Sequence, residues 1–447
     1  MKRVRRTNWV IVGLGMGTLL NPLNSSMFAV GLVSLSETFS IGLGKASWIV
    51  TAFYITSAIA QPTLGRLADR WDGRPVFLIG MSMVCCLSVA APFAPTFALL
   101  CGLRVAISVG TAAAYPAALA LVRTRNELTG LEAKRVIARI EYCNVLGVLT
   151  GPVVGGTAVH FLSWKALFWV SAPLALISLL TVRSLLPATP RRPDHRAITV
   201  VRSLDLRGIV LFATAPVAGL WAVNGAAEPL VLLALSAIAL ALLVHHSRRI
   251  SEPFFDVAFV RRRSLWPIYA SFLMMTTTYY LIFYGFPQLL EVALGWPLIH
   301  VGFLMLPLAG VALLANPACA VALRRLHPRT VLCCGTVWMA AAAALLPLTP
   351  GPGHAVVVGL IAAALGVPHA ISTLGSAVAL YNATPRHRAG SAFGLLQTSR
   401  HVGGALAMAA LAAPPLTRGG TERFDTLPSL IIVVCLASAA ALTAWRP

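Results

Sequence analysis

Long apolar runs alternate with short polar segments along nearly the whole chain. An α-helix needs about 20 apolar residues to cross the roughly 30 Å hydrocarbon core of a membrane. The runs therefore predict fourteen membrane helices, over 9–35, 46–64, 75–94, 96–122, 136–162, 165–186, 208–224, 229–245, 265–290, 298–322, 330–348, 354–381, 390–413 and 428–445. The seventh and eighth runs are short, and the count falls to twelve if they do not cross.

The composition excludes a water-soluble fold. Only 11% of the residues are charged and 58% are hydrophobic, whereas about 25% of an average soluble protein is Asp, Glu, Lys or Arg. The eight cysteines all lie in apolar segments and show no metal-ligand spacing, so we expect neither disulfides nor a metal site. The chain is predicted to be an all-α polytopic membrane protein.

The formal charge of +21 would suggest a nucleic-acid partner in a soluble protein. Here 28 of the 35 Lys and Arg residues lie in or beside the segments assigned to the cytoplasm, and four lie in the outer loops. This asymmetry is the orientation signal of membrane proteins. It predicts a multi-pass protein of the cytoplasmic membrane with both termini in the cytoplasm, in contact with lipid and without a nucleic-acid partner.

An internal repeat divides the chain. Residues 61–80 align without gaps to 316–335 at a constant offset of 255 positions, and five positions in these stretches are identical. Two homologous halves are common in secondary transporters, whose substrate site lies between them. We therefore predict an N-terminal six-helix half over 1–186, a linker and inserted hairpin over 187–264, and a C-terminal six-helix half over 265–447.

The polar segment after the second span carries a recognisable pattern. Residues 65–74 (GRLADRWDGR) resemble the Gly-x-Leu-Ala-Asp-Arg-x-Gly-Arg signature of the major facilitator superfamily, with one extra residue before the second glycine. A carboxylate flanked by arginines can pair with charges or cap a helix N-terminus, and so hold one conformation closed. The alternative is ordinary cytoplasmic positive charge. The candidate gating residues here are Gly65, Asp69, Arg70, Gly73 and Arg74.

The fifth span contains GVLTGPVVGG, which resembles the Gly-x-x-x-Gly-Pro-x-x-Gly-Gly motif of the antiporter branches of this family. Small residues permit close helix contact, and proline bends a helix. The alternative is plain packing. We add to the candidate gating residues Gly147, Gly151, Pro152, Gly155 and Gly156.

The resemblance covers essentially the whole chain and is closest to the fourteen-helix drug:proton antiporter branch. It implies a major facilitator fold of two six-helix halves plus an inserted two-helix hairpin, without a cofactor and active as a monomer. It also implies a transporter that exports amphiphilic drugs or a small metabolite by alternating access, in exchange for protons.

Proton exchange requires a titratable group within the membrane. Glu141 is the only carboxylate well inside a predicted span, and a structural ion pair is its alternative role. His369 is the second candidate, with hydrogen-bonded packing as the alternative. Arg104, in a segment that resembles another motif of the family, and Arg400 are buried charges that cost free energy unless they face a partner or water. We predict that these four residues serve proton coupling.

Candidate substrate-binding residues lie in two spans. Relatives in the antiporter branch commonly have an acidic residue where Asn24 stands, and asparagine cannot exchange a proton. Asn21 and Asn24 can hydrogen-bond a substrate or can be ordinary interhelical amides. Aromatic residues concentrate in the ninth span, and aromatic walls suit bulky amphiphilic ligands; the candidates there are Tyr280, Tyr284 and Gln288.

Asn24 keeps other functions open. A uniporter, or an importer that carries protons with its substrate, is the main alternative to antiport. A membrane sensor that transports nothing ranks last, because it has little use for buried charges and because no cytoplasmic segment is long enough to fold as an output domain. The sequence has no P-loop and no nucleophile or metal constellation, so an enzyme is not expected.

Overall fold

The structure is a computed structural model of the 447-residue chain. It describes all residues except 1, 29–30, 42–45, 47, 125–132, 188–204, 224–227, 251–252, 254–255, 291–293, 297, 350–352, 413–421 and 446–447. Within the described residues all regular structure is helical, as predicted.

Eighteen α-helices are present in these ranges. They are α1 Lys2–Met27, α2 Leu32–Thr38, α3 Trp48–Trp71, α4 Gly73–Ala90, α5 Phe97–Thr124, α6 Ala133–Phe161, α7 Ala166–Trp169, α8 Ser171–Leu185, α9 Leu206–Val223, α10 Pro229–Arg249, α11 Val257–Val260, α12 Trp266–Gln288, α13 Leu298–Leu304, α14 Leu306–Arg325, α15 Pro328–Ala343, α16 Ala355–Ala383, α17 Ala389–Ala412 and α18 Glu422–Thr443.

The helices coincide with the predicted apolar runs, but several boundaries differ. The first run, 9–35, is interrupted after Met27, and α2 begins only at Leu32. The polar segment 65–74 is largely helical, because α3 continues to Trp71 and α4 begins at Gly73. The turn between α3 and α4 is made by Asp72 alone, at a φ of 114°. Charged residues can continue a helix past the membrane boundary, which hydropathy does not register.

Seven helices in the described part of the chain are long and apolar enough to cross a membrane, or eight when one bent helix is counted as a span. The seven are Gly73–Phe93, Phe97–Arg123, Ala166–Leu185, Pro229–Arg249, Leu306–Arg325, Pro328–Leu348 and Ala355–Ala383. The bent helix is α6, whose parts Ala133–Gly151 and Val153–Phe161 meet at 43°. The bend falls at Pro152, which removes a backbone donor from the helix. The count of fourteen stays a prediction.

The chain forms two compact units. One comprises Met1–Leu204 with Thr384–Thr398, and the other comprises Asp205–Ala383 with Ser399–Pro447. The first ten residues of α17 therefore belong to the first unit, and the remainder of this helix belongs to the second.

Close contact between α1 and α6 shapes the interior of the first unit. A Cβ atom at Gly147 would lie 2.8 Å from the carbonyl oxygen of Leu19, and one at Gly155 would lie 2.7 Å from that of Met27. Gly151 lies directly against Ser26. Three turns of α6 thus contact the α1 backbone, which requires the small residues of the GVLTGPVVGG segment.

We predict that Gly147→Ala lowers the free energy of unfolding by about 1–3 kcal/mol, because the added methyl group overpacks the contact with the backbone of Leu19. Gly102→Ala is the control, since a Cβ there meets no atom within 4 Å. Alanine at that exposed helical position should stabilise by about 0.5–1 kcal/mol. Thermal unfolding of the purified protein in detergent measures both, and equal effects of the two changes would contradict the tight contact.

Candidate functional site

Glu141 forms a buried hydrogen-bonded cluster between α5 and α6. Its side chain is 1% exposed. The hydroxyl group of Tyr115 donates a short hydrogen bond to Oε1. The amide of Asn144 lies 3.5 Å from Oε2. A carboxyl group inside a transporter can change its charge only if the protein offers it polar partners, and these two side chains provide them.

Arg104 and Asn24 form a second buried cluster, between α1 and α5. The Arg104 side chain is 1% exposed. Its Nη1 donates to Asn24 Oδ1 at 2.8 Å and its Nη2 donates to the Asn24 carbonyl oxygen at 3.0 Å. The guanidinium carbon also lies 3.6 Å from the ring centre of Phe28 and 4.3 Å from that of Phe53. This cation is therefore held by neutral oxygens and aromatic rings.

Asn21 lies one turn before Asn24 but has different partners. Its amide nitrogen donates to Ser57 Oγ and to Thr111 Oγ1, both at 3.1 Å. Ser57 and Ser108 are in turn hydrogen-bonded to each other at 2.9 Å. Asn21 thus joins α1 to α3 and α5 through hydroxyl groups. These contacts are compatible with an ordinary interhelical amide and equally with a polar residue that binds a substrate.

Asp69 caps the N-terminus of α17. Its Oδ1 accepts from the Gly390 backbone nitrogen at 2.6 Å, and its Oδ2 accepts from the nitrogen and hydroxyl of Ser391, both at 2.7 Å. Three donors and the positive end of the helix dipole stabilise the carboxylate there. This is the helix-capping role considered from the sequence.

The Asp69 carboxyl lies beyond residue 64, where the predicted span ends, and therefore outside the predicted membrane-spanning segment. Burial raises its pKa from 3.8 to about 6, while the hydrogen bonds from Ser391 and Gly390 and the charge of Arg388 act in the opposite direction. Because the net change is upward, the desolvation cost exceeds the stabilisation of the charged form by these partners, although most of the carboxylate is still charged at neutral pH.

Glycines bring α3 and the start of α17 into backbone contact. A Cβ atom at Gly65 would collide with the Gly390 carbonyl oxygen, and one at Gly390 would collide with that of Gly65. One turn further along, a Cβ at Gly394 would lie 2.5 Å from the Gln61 oxygen. Thr398 closes the row by donating to the Ala58 oxygen at 2.9 Å.

Other candidate gating residues have local roles. Gly73 packs against α5, where a Cβ would lie 2.6 Å from the Ala117 oxygen. Arg74 donates from Nε to the Leu186 oxygen at 2.8 Å and from Nη2 to the Arg183 oxygen at 3.1 Å, and so ties α4 to the end of α8. Arg70 and Gly156 are partly buried. Their gating roles stay predictions.

In the second unit, His369 of α16 stacks on Tyr279 of α12, with ring centres 3.7 Å apart. The Arg400 guanidinium interacts electrostatically with both rings and lies 5.7 Å from the ring centre of Phe272. Tyr280, a predicted substrate residue, packs beside Tyr279 at 5.7 Å. The side chains of the other two, Tyr284 and Gln288, lie outside the described residues.

Sequence reasoning missed the partners of these groups. Tyr115 is 26 positions from Glu141, and nothing in the sequence links the two. The Tyr115 ring also meets Phe393 edge-on, at 6.2 Å between centres. Likewise, Gly390 and Ser391 are more than 320 positions from Asp69. The sequence could point to such partners only as polar residues in other apolar helices, and many residues meet that description.

Apolar helices that enclose isolated charges are typical of polytopic membrane proteins that move ions or solutes. The sequence matches the profile of the Major Facilitator Superfamily over residues 14–408, so the chain belongs to this family. The family predicted from the sequence motifs is thereby confirmed. It is a family of transporters and not of enzymes, and its members are multi-pass membrane proteins.

Named relatives fall among bacterial transporters. The chain is 29% identical to an uncharacterized MFS-type transporter, YwoD of Bacillus subtilis, over 96% of this chain and 94% of the relative. It is 28% identical to the multidrug efflux pump LfrA of Mycolicibacterium smegmatis, over 90% of this chain and 80% of the relative. The proton:xylose symporter XylE has a similar fold, with a TM-score of 0.65 at 12% identity over 98% of this chain and 94% of that structure.

We predict that Asp69→Asn lowers the free energy of unfolding by about 1–3 kcal/mol, because the new amide group faces N–H donors and leaves at least one unpaired. Asp72→Asn is the matched control three positions on, where the carboxylate accepts a hydrogen bond of 3.4 Å from the Arg74 backbone nitrogen, longer than each of the three bonds to Asp69. The unfolding temperatures of the two purified variants should therefore differ. Equal losses would show that Asp69 contributes no more than any acidic residue of this turn.

Proposed function

We propose that this transporter exports amphiphilic drugs or a small metabolite across the cytoplasmic membrane in exchange for protons, by alternating access. The multidrug efflux pump LfrA, to which the chain is 28% identical, supports the substrate range and the direction. The proposed architecture has fourteen membrane helices, with α9 and α10 as a hairpin inserted between two six-helix halves. Both termini are cytoplasmic, and the protein acts as a monomer.

The coupling proposal depends on the burial and the hydrogen bonds of Glu141. Its carboxyl group is 1% exposed and hydrogen-bonded by Tyr115 and Asn144. The Tyr115 hydroxyl can donate to the charged carboxylate and can accept from the protonated acid, because a phenol does both. The Tyr115 hydroxyl can therefore serve the Glu141 carboxyl group in either protonation state. His369 and Arg400 are the second candidate group for coupling.

Alternating access also needs contacts that break, and we assign this role to the α3–α17 contact. Asp69 holds the first turn of α17 through three hydrogen bonds, and paired glycines allow the backbones to touch. We propose that these bonds form in one conformation and break in the other. The glycine motif of α6 provides the matching close contact with α1.

Asn24 favours a second candidate function. Without an acid at that position, a uniporter or an importer that carries protons with its substrate remains the alternative. The side-chain amide of Asn24 forms hydrogen bonds with Arg104, Leu20 and Ser171, and it does not titrate at physiological pH. Antiport then depends on Glu141, which makes the two functions experimentally distinct.

Everted membrane vesicles with an acidic interior test the proposal. A panel of lipophilic cations, antibiotics and anionic metabolites is added to vesicles that contain wild type, Glu141→Gln or no transporter. We expect substrate-dependent proton release with wild type alone, because glutamine has no proton to exchange. Glu228→Gln is the matched control, since this carboxylate is exposed and lies just before the apolar run of α10.

Release by both wild type and Glu141→Gln would retain antiport and move the coupling group, with His369 tested next. Uptake of a labelled compound without proton release would contradict antiport and favour the uniporter. Proton entry together with the substrate would favour the symporter.

A further inference from the structure

We propose that Arg104 binds the acidic group of an organic anion, so that the substrates of this transporter are aromatic or otherwise amphiphilic anions. The proposal rests on the proposed transport function and narrows its substrate class. It follows from the unused donors of Arg104, from the charge balance around it and from the orientation of Asn24.

The guanidinium group of Arg104 has N–H donors that do not form a hydrogen bond with any described residue. An arginine presents five N–H groups, and the two hydrogen bonds in the structure go to Oδ1 and to the carbonyl oxygen of the same residue, Asn24. The Nε atom is buried, and no described residue accepts a hydrogen bond from it. The edge formed by Nε and one Nη nitrogen is the geometry that binds a carboxylate or phosphate through two parallel hydrogen bonds.

Among the described residues, no carboxylate contacts the Arg104 guanidinium. Its neighbours include an amide, a carbonyl group, the rings of Phe28 and Phe53, and the neutral side chains of Tyr54 and Cys101. A cation buried in this way costs several kcal/mol unless an anion or water compensates it. An anionic substrate that enters beside the guanidinium brings that compensation. The rings of Phe28 and Phe53, which are buried against the guanidinium, make the surroundings of that acidic group apolar.

Asn24 contacts Arg104 without neutralising its positive charge, as an aspartate at this position would. Its amide nitrogen donates to the Leu20 carbonyl oxygen at 2.9 Å and to Ser171 Oγ at 3.0 Å, which turns Oδ1 towards Arg104. An aspartate would pair with the guanidinium through the same oxygen and would place a second acidic oxygen beside the Leu20 carbonyl group. Asparagine thus orients Arg104 without consuming its charge, and the charge is left for the ligand.

Binding to the purified full-length protein tests the proposal without a proton gradient. The probes are aromatic carboxylates, each paired with its carboxamide of the same shape (1-naphthoate with 1-naphthamide, for example), and ethidium as a lipophilic cation. Binding is followed by tryptophan fluorescence and by the unfolding temperature. We expect at least one carboxylate to bind wild type about tenfold or more tightly than its carboxamide, since bonds between charged groups are the strong ones.

Three variants identify the group responsible. Arg104→Gln should abolish the preference for carboxylate. Arg104→Lys should retain part of it, because the charge stays but the two-point geometry is lost. Asn24→Asp should abolish the preference with Arg104 still present, because the new carboxylate takes the place of the ligand. The same variant should raise the unfolding temperature in the absence of ligand, which separates it from a protein that fails to fold.

The proposal is wrong if no carboxylate binds wild type more tightly than its carboxamide, or if ethidium is the preferred ligand. It is also wrong if Arg104→Gln and Asn24→Asp keep the full preference. An intact preference for anions without proton exchange in vesicles would reject only the coupling proposed above. Proton exchange driven solely by cations would reject the anion site and leave the coupling in place.

Discussion

Inside a membrane, a charged side chain can be stabilised only by protein groups, by its ligand or by trapped water, because lipid chains offer neither hydrogen bonds nor counter-ions. This constraint explains how the few buried charges of this transporter are arranged. Glu141 is stabilised by a tyrosine hydroxyl and an amide. Arg104 is held by an amide, a backbone carbonyl group and two aromatic rings. The partners of Glu141 can accommodate a carboxyl group as well as a carboxylate. Arg104 keeps an Nε donor whose hydrogen no described residue accepts.

The small residues make these arrangements possible. Polar side chains as short as those of Asn24 and Ser171 meet only if α1 and α8 approach closely, and a Cβ atom at Gly13 of α1 would lie 2.8 Å from Thr181 Cγ2 of α8. In the same way, α6 contacts α1 through the unsubstituted Cα atoms of Gly147 and Gly155. The same device joins α3 to the start of α17 at Gly65. The glycines thus permit the close helix contacts that short polar side chains need in order to reach one another.

The sequence was sufficient to predict the helical segments and the family, since hydropathy and the motif glycines act locally. The break after Met27 and the helical course of 65–71 depend on packing and were not predicted. Among the site residues, Glu141 and Asp69 were identifiable as carboxylates at unusual positions. Their partners could not be predicted, because the contact between Tyr115 and Glu141, or between Asp69 and Ser391, arises only when distant segments pack together.

The most direct test of the account is the number of protons that the purified transporter releases when it binds a compound that it exports, measured with a pH indicator in weakly buffered solution. Ligand binding and protonation are linked if each changes the free energy of the other, even when they occur at different groups. We predict the release of about one proton per bound ligand for wild type and none for Glu141→Gln. Equal release by the two proteins, or none by either, would contradict coupling through this carboxyl group.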